Sequence, residues 1–244
     1  MNDDLQRVLP IDGLHNFRDV GGYPAGSTHT AWRKLFRSDA PHRLSERGEL
    51  QFSGLGISKV IDLRDDRERQ FAPTRLGTTE MVAKPIFQGV ESVIRDPEMG
   101  LEGFYRTLVD NHAANFAEVI REISSDPDQR VLIHCTAGKD RTGLVVAFVL
   151  EAVGVARIQI LDDYALTETL LSDGWATSQI SAIEALGVPM TPALRRLLVA
   201  SPVEALATTL EYLDEAYTSP TQYLLQHGLA EHDLERLRQF LLSP

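Results

Sequence analysis

The apolar residues of this chain fall into two alternating patterns. Short β-branched runs bounded by turn residues are typical of buried strands, whereas apolar residues that recur every three or four positions are typical of amphipathic helices. The first pattern predicts strands over Lys34–Ser38, Val60–Arg64, Met81–Phe87 and Val131–Ile133. The second predicts helices over Glu46–Gly54, which Ser45 would cap, and over Phe104–Ile123, Leu144–Val153, Glu204–Tyr217 and Glu231–Leu242. This alternation predicts an α/β fold with a central sheet flanked by helices.

The chain beyond Gly154 is helical in pattern and is punctuated by Pro189, Pro192 and Pro202. Residues 166–198 contain a polar stretch with Gly and Trp and have two interpretations: a lid or helical insertion beside a binding site, or extra helices of the core. No repeat, low-complexity tract or linker interrupts the sequence. We therefore expect a single domain over residues 1–244 with additional C-terminal helices.

Composition and charge narrow the classes of function. The 244 residues carry a formal net charge of −11, which disfavours binding to nucleic acid or to anionic lipid surfaces. No apolar run has the length of a membrane-spanning helix, and the polar start is unlike a signal peptide, so a cytoplasmic location is expected. An anionic substrate must then be attracted by local cations, for which the candidates are Arg18, Arg37, Arg64, Arg67, Lys139 and Arg141.

One stretch combines a strand end, a glycine-containing loop and a helix start: His134-Cys135-Thr136-Ala137-Gly138-Lys139-Asp140-Arg141-Thr142-Gly143. Such a turn binds anions because unpaired backbone N–H groups and the positive end of the helix dipole point into it. Cys135, the one cysteine of the chain, starts the loop, and Arg141 follows six positions later, where a guanidinium can hold two oxygens of one phosphate. A nucleotide-binding P-loop is excluded, because Asp140 follows Lys139 and Ile133 stands where the first glycine is required.

These ten residues resemble the signature loop of protein tyrosine phosphatases, His-Cys, five variable positions, then Arg and Thr or Ser. With Lys139 and Asp140 in the last two variable positions, the stretch is more similar to the bacterial and fungal branch of that family, some members of which also act on phosphoinositides. Further motifs that resemble this branch are Asn16-Phe17-Arg18-Asp19-Val20-Gly21-Gly22, Asp62-Leu63-Arg64 and Asp162-Asp163-Tyr164. The resemblance implies a tyrosine phosphatase-like α/β fold and an enzyme that needs no metal and no cofactor.

The residue types in the loop suggest a mechanism. A free thiol is mostly protonated at neutral pH, and the loop amides, the helix N-terminus and Arg141 all favour the reactive thiolate of Cys135. Attack on phosphorus gives a phosphocysteine that water then cleaves. The backbone N–H groups expected to hold the phosphate oxygens are those of Thr136, Ala137, Gly138, Lys139, Asp140 and Arg141. We expect Thr142 to donate a hydrogen bond to the sulfur and His134 to fix the loop's shape. The alternative role for Cys135 is that of a small buried hydrophobe.

The leaving oxygen needs a proton donor within hydrogen-bonding reach. Asp140 is the first candidate, since it lies in the loop and the resemblance implies this role for it. Asp96 is the second, because the wider superfamily keeps its acid in that region, and Asp62, at a strand end, is the third. Lys139 has two interpretations, a second cation at the pocket mouth that would suit phosphoinositides, or a solvated lysine.

Two further charged pairs have open roles. Arg18 and Asp19 are expected to form a structural ion pair or turn brace rather than to contact substrate. Asp62 and Arg64 follow a buried strand, at the end of the sheet where ligands bind, and they either pair with each other or take part in catalysis.

The expected function is a cysteine-dependent phosphatase of phosphotyrosine, extending to phosphoserine, phosphothreonine and phosphoinositides in one version of the hypothesis. Its partners would be a phosphorylated protein or a phosphoinositide, and not nucleic acid. Two alternatives stay open: a phosphatase of a small molecule such as a nucleotide or sugar phosphate, and a phospho-binding module without catalysis. The module is disfavoured because both Cys135 and Arg141 are present.

Overall fold

The computed structural model describes residues 6–74, 76–87, 100–171, 173–185, 187 and 189–242. The strands are β1 (Arg18–Asp19), β2 (Pro24–Ala25), β3 (Thr28–His29), β4 (Leu35–Ser38), β5 (Lys59–Asp62), β6 (Glu80–Ala83) and β7 (Val131–His134). The helices are α1 (Glu46–Gly54), α2 (Asp66–Phe71), α3 (Leu101–Asn111), α4 (Ala113–Ile123), α5 (Asp140–Ala152), α6 (Arg157–Leu170), α7 (Asp173–Ala185), α8 (Pro192–Val199), α9 (Val203–Tyr217), α10 (Pro220–Gln226) and α11 (Glu231–Leu241).

Within the described residues, one mixed sheet has the strand order β1-β4-β7-β5-β6. β1 pairs antiparallel with β4, and the other neighbours are parallel. The strand β7 is central, and its last residue, His134, is in register with Ser38 of β4 and Asp62 of β5. Three parallel strands therefore end at one level. Ligands of α/β sheets bind at this carboxyl end, so the loop after β7 starts at the middle of the functional edge.

Side chains of the central strands alternate between the two faces of the sheet, as extended backbone requires. Val131 and Ile133 belong to the larger apolar cluster, whereas Leu132 joins a smaller one with Phe36 and with Phe52 of α1. The helix α5 lies in the larger cluster, is buried along nearly its whole length, and packs against α4, α6, α10 and α11. The predicted α/β fold and the extra C-terminal helices are confirmed.

Two predicted elements need correction. The pattern over Phe104–Ile123 forms two helices, because the backbone of His112 leaves helical geometry at φ −128° and ψ 25°. The strand expected over Met81–Phe87 is the shorter β6. The polar stretch within residues 166–198 contains the helix α7, which both interpretations of that segment allow. Among the described residues, no helix combines the length and the apolar character that crossing a membrane requires.

Candidate active site

The loop between β7 and α5 is fixed by both neighbouring strand ends. Leu63 N donates to His134 O over 2.9 Å, and Ala40 N donates to Thr136 O over 3.1 Å. Gly138 has φ +65°, and a Cβ atom there would lie 2.1 Å from Ser38 O, so the position requires glycine. The thiol of Cys135 follows β7 directly and is 2% exposed. The sequence thus places a buried sulfur at the base of a loop that leads into a helix N-terminus.

The guanidinium of Arg141, in the first turn of α5, is held by the carboxylate of Glu68 on α2. Nη1 and Nη2 of Arg141 each donate to a different oxygen of Glu68 over 2.7 Å. Thr136 Oγ1 donates to the same carboxylate over 2.5 Å. Burial alone would raise the pKa of Glu68, but the hydrogen bonds and charge of Arg141 outweigh it and bring the pKa to about 2. Glu68 is therefore ionised at neutral pH and fixes the plane of the guanidinium.

The carboxylate of Asp140 is partly exposed and is held by a pair of tyrosines. Tyr105 on α3 donates its hydroxyl to Asp140 Oδ1 over 2.9 Å, and the hydroxyls of Tyr105 and Tyr164 lie 2.6 Å apart. Burial, reinforced by the charge of Asp140, raises the pKa of Tyr105 well above its ordinary value, so this tyrosine stays neutral. Lys139 Nζ lies 3.4 Å from Asp140 Oδ1. Asp140 thus borders the loop with one oxygen fixed from the helical side.

The side chain of Lys139 is buried, which corrects both interpretations of it. Its Nζ donates to Ala200 O over 2.8 Å, in the segment between α8 and α9. It is neither solvated nor exposed at a pocket mouth, because the chain after α8 covers it. Close by, Ala137 of the loop packs against Leu171 and Trp175 in a small apolar cluster separate from the two larger ones.

Asp62 and Arg64 pair with each other, one of the two roles left open for them. Arg64 Nη2 donates to Asp62 Oδ2 over 2.7 Å, and both residues are buried. Burial alone would raise the pKa of Asp62, but the electrostatic interaction with the nearby His134 ring and the hydrogen bonds and charge of Arg64 lower it. His134 Nε2 lies 3.7 Å from Asp62, while its Nδ1 lies 3.0 Å from Cys135 O. Both the strand end and the histidine therefore support the loop.

The expected hydrogen bond from Thr142 to the sulfur is not formed. Thr142 Oγ1 is buried and has no hydrogen-bond partner among the described residues. The backbone of Thr142 belongs to the first turn of α5, and this helical geometry limits the positions that its hydroxyl can occupy.

The motif around Arg18 is structural, as expected, but its partners differ from the predicted ones. Arg18 pairs with Asp163 of α6 rather than with Asp19, with 3.1 Å between Nε and Oδ1. Asp19 accepts backbone hydrogen bonds from Gly21 and Arg33 and so braces the turn. Arg37 also reaches Asp163, and Asn16 Nδ2 donates to the carbonyls of Ala137 and Gly138 over 2.9 and 3.0 Å. This buried group lies beneath the loop.

The sequence model of the tyrosine phosphatase family matches residues 9–243 of this chain. The chain belongs to the tyrosine phosphatase family. It is similar to the triple specificity protein phosphatase PtpB of Mycobacterium tuberculosis, with 29% identity over 97% of this chain and 99% of PtpB. It is also similar to a putative tyrosine-protein phosphatase of Cupriavidus necator, with 26% identity over 96% of this chain and 88% of that protein. The crystal structure of P. aeruginosa TpbA matches 59% of this chain and 77% of its own, with 18% identity and a TM-score of 0.39.

Membership of the tyrosine phosphatase family confirms the predicted family, the fold class and the predicted class of enzyme. The predicted roles of individual residues stay predictions. Asp96, the second candidate for the acid, lies outside the described residues. In the part of the chain that is described, no group of three or more His, Cys, Asp or Glu side chains is arranged to hold a metal ion.

Two features of this phosphatase site were missed in the sequence. Glu68 carries a visible signal, because Asp65 and Glu68 form a capping box at the start of α2, but that pattern indicates only a helix start. Asn16 and Arg37 belong to stretches that were noticed, yet nothing local to them points at residues 137 and 138. Of the candidate cations, Arg18 and Arg37 converge beneath the loop, and Arg67 is exposed on α2.

Proposed function

We propose that this chain is a phosphatase in which Cys135 is the nucleophile, Arg141 holds the phosphate and Asp140 is the proton donor. One arrangement carries the proposal: the Cys135 thiol at the end of the central strand and the Arg141 guanidinium in the first turn of α5, fixed by two 2.7 Å hydrogen bonds to Glu68. That geometry suits a tetrahedral anion seated over the sulfur.

The reaction runs in two steps. The Cys135 thiolate attacks phosphorus, forming an S–P bond as the P–O bond to the substrate breaks, and Asp140 gives its proton to the leaving oxygen. Water then attacks the phosphocysteine, passes a proton to Asp140 and releases inorganic phosphate and the thiolate. Arg141 and the loop N–H groups stabilise the negative charge on the equatorial oxygens in both steps.

Asp140 is favoured over Asp62 as the proton donor. Asp140 is partly exposed beside the loop and has its Oδ1 held by Tyr105, which leaves Oδ2 for a leaving group. Asp62 is buried and both of its carboxylate oxygens accept hydrogen bonds from Arg64, so neither oxygen is left to face a leaving group.

The proposed substrates are phosphotyrosine in proteins and, beyond it, phosphoserine, phosphothreonine and phosphoinositides. The breadth is supported by the similarity to PtpB, whose name describes triple specificity, over 97% of this chain. The proposal includes a single domain over residues 1–244 and a cytoplasmic location, where a free thiol stays reduced.

We also propose that the segment of residues 166–198 acts as a lid rather than as part of the core. Leu171 and Trp175 pack on Ala137 of the loop in a cluster apart from the main core, and Lys139 reaches Ala200 just beyond α8. Both contacts join the segment to the phosphate loop and not to the main core, as expected for a lid.

The experiment is a phosphate-release assay with chelator present and with Cys135→Ser as the blank. The panel contains a phosphotyrosine peptide, a phosphoserine peptide, several phosphoinositides and a nucleotide monophosphate. We expect the highest kcat/KM on the phosphotyrosine peptide and a loss of at least about 1,000-fold in Cys135→Ser. Highest activity on the nucleotide would favour a small-molecule phosphatase. Release that Cys135→Ser retains, or no release from any substrate, would overturn the mechanism.

A further inference from the structure

Two buried arginines and one buried aspartate lie together beneath the phosphate loop. Arg18 of β1 and Arg37 of β4 are direct partners across the antiparallel pair. Asp163 accepts from Arg18 Nε over 3.1 Å and from Arg37 Nη1 over 2.5 Å. The three side chains are at most 1% exposed. Like charges on facing strand positions repel each other, so one carboxylate holds two cations together and leaves the cluster with a net charge of +1.

Arg18 stays charged at neutral pH. Burial and the charge of Arg37 lower the pKa of Arg18, which Asp163 raises in turn, and the result is about 10. Burial alone would raise the pKa of Asp163, but the two arginines lower it strongly, so it is ionised. Tyr23 adds a neutral hydroxyl, which donates to Asp163 Oδ1 over 3.0 Å.

The cluster contacts the loop directly. Arg37 Nη2 donates to Gly138 O over 2.7 Å. Asn16 Nδ2 donates to this carbonyl and to that of Ala137, and Arg18 Nη1 in turn donates to Asn16 O over 3.2 Å. In a trans peptide the C=O and the N–H point in opposite directions. With the carbonyls of Ala137 and Gly138 turned toward the cluster, the N–H groups of Gly138 and Lys139 face away from it.

The other charges around the loop are balanced. The ion pairs are Arg141 with Glu68 at 2.7 Å, Arg64 with Asp62 at 2.7 Å, and Lys139 with Asp140 at 3.4 Å. Burial lowers the pKa of His134, so its ring is neutral at pH 7. On the loop after β4, burial raises the pKa of Asp39 well above its ordinary value, and the cation that interacts with it is Arg43. On α6, Glu168 accepts from Ser201 N over 3.4 Å, next to the Ala200 carbonyl that Lys139 contacts. Among these ion-paired groups, the cluster of Arg18, Arg37 and Asp163 is the one in which cations outnumber carboxylates.

We propose that the cluster of Arg18, Arg37 and Asp163 is a buried positive charge that favours the ionised thiol and bound phosphate at the loop, without touching substrate. These three are positioning residues, and the inference rests on the proposed phosphate site at Cys135. A charge in the low-dielectric interior acts over a longer range than one at the surface. Burying it costs stability unless it is fully paired.

The test measures the pH dependence of Cys135 alkylation by iodoacetamide, which reports on one site because the chain has one cysteine. Arg37→Gln reduces the cluster charge from +1 to 0 and should move the midpoint of the alkylation profile up by on the order of one pH unit, the effect of removing one buried positive charge near the thiol. Asp163→Asn increases the charge to +2 and should move the midpoint down. Arg37→Lys keeps the charge and should leave the midpoint near that of the wild type.

A role in holding the loop's shape alone would shift Arg37→Gln and Asp163→Asn in the same direction, or neither, and would overturn the proposal. Arg238→Gln removes one exposed charge from α11 and controls for net charge. If Asp163→Asn fails to fold, as circular dichroism would reveal, Arg37→Gln and Arg37→Lys still test the proposal, because equal alkylation midpoints in these two variants contradict it.

Protection of the thiol by inorganic phosphate should weaken about tenfold in Arg37→Gln. Alkylation needs no turnover, so failure of the catalytic proposal is detected separately.

Discussion

Arg141 and Glu68 meet in a bidentate pair, with both guanidinium nitrogens 2.7 Å from a carboxylate oxygen. Glu68 also accepts a hydrogen bond from Thr136, so one carboxylate joins the residue after the nucleophile to the arginine that ends the loop. Glu68 lies on α2. Arg141, the proposed phosphate ligand, is therefore oriented before any phosphate arrives, which reduces the ordering needed on binding.

Substituting Glu68 tests that orientation. Glu68→Gln removes the charge and one of the two parallel hydrogen bonds, and we expect kcat/KM to fall about 10- to 100-fold, the range expected for a lost charged hydrogen bond of about 1.5–3 kcal/mol. Glu235→Gln, on the exposed face of α11, is the matched control and should leave kcat/KM unchanged. Equal activity of Glu68→Gln and wild type would show that Arg141 does not depend on this pair.

The same carboxylate makes stability depend on pH. The folded pKa of Glu68 is about 2, against 4.5 for an ordinary glutamate, so the pair stabilises the fold fully above pH 4.5 and loses its effect as pH falls toward 2. The contribution is on the order of 2–3 kcal/mol at neutral pH. The difference in unfolding free energy between wild type and Glu68→Gln, from urea titrations, should be constant from pH 7 to 5 and shrink below pH 4. A difference that grows on acidification would contradict the direction of the shift.

Asp140 is tested by the dependence of rate on the leaving group. Asp140→Asn should slow alkyl phosphates, which need a proton on the leaving oxygen, at least about 100-fold. Activated aryl phosphates, which leave without a proton, should lose much less. Asp162→Asn, an exposed carboxylate on α6, is the control. An equal loss on both substrate types would move the acid elsewhere, and Asp96→Asn would be the next variant to measure.

Gly138 and Gly154 form a matched pair of glycines with positive φ. A Cβ at Gly138 meets Ser38 O at 2.1 Å, whereas one at Gly154 has no atom within 4 Å. Both Ala variants carry the backbone cost of about 1–2 kcal/mol. Only Gly138→Ala must displace the loop, so it should lose at least about 100-fold in kcat/KM. Gly154→Ala should keep kcat/KM and lower the melting temperature. Full activity in Gly138→Ala would refute the tight contact.

The contact between Lys139 and Ala200 tests the proposed lid. Lys139→Met removes the hydrogen bond to Ala200 O and should loosen α7 and α8, so trypsin should cleave after Arg195 or Arg196 several-fold faster than in wild type. Lys59→Met is the control, because Lys59 pairs with Glu122 at the start of β5, away from the loop, and its loss should leave cleavage at both arginines unchanged. Unchanged cleavage at both arginines would show that this lysine does not hold the segment.

The elements around Cys135 were predictable because their signals are local. Hydrophobic patterning predicted the strand at Val131–Ile133 and the helix from Leu144 onward, and one motif marked the loop between them. The helix begins four residues earlier than predicted, at Asp140, inside that motif. Glu46–Gly54 was predicted to the residue, with Ser45 as its cap, because capping chemistry acts within one turn.

Contacts between distant segments were not predictable in the same way. Glu68 reaches Arg141 across 73 residues, and Arg18 reaches Asp163 across 145, and no periodicity encodes either approach. The burial of Lys139 was missed for the same reason. A lysine in a polar loop is expected in solvent, and the segment that covers it is distant in sequence. The break at His112 was missed because apolar positions continue through it at helical spacing.

The cluster of Ala137, Leu171 and Trp175 is separate from the main core. Uncovering the loop would therefore disrupt a few apolar contacts and leave the sheet and α5 packed. Detachments of this size have a free-energy cost far below that of global unfolding and recur many times within one lifetime of the folded state. In the proposed lid role, access to the thiol would be set by a local equilibrium that substitutions in α7 and α8 tune over a wide range, while the chemistry beneath is left as it is.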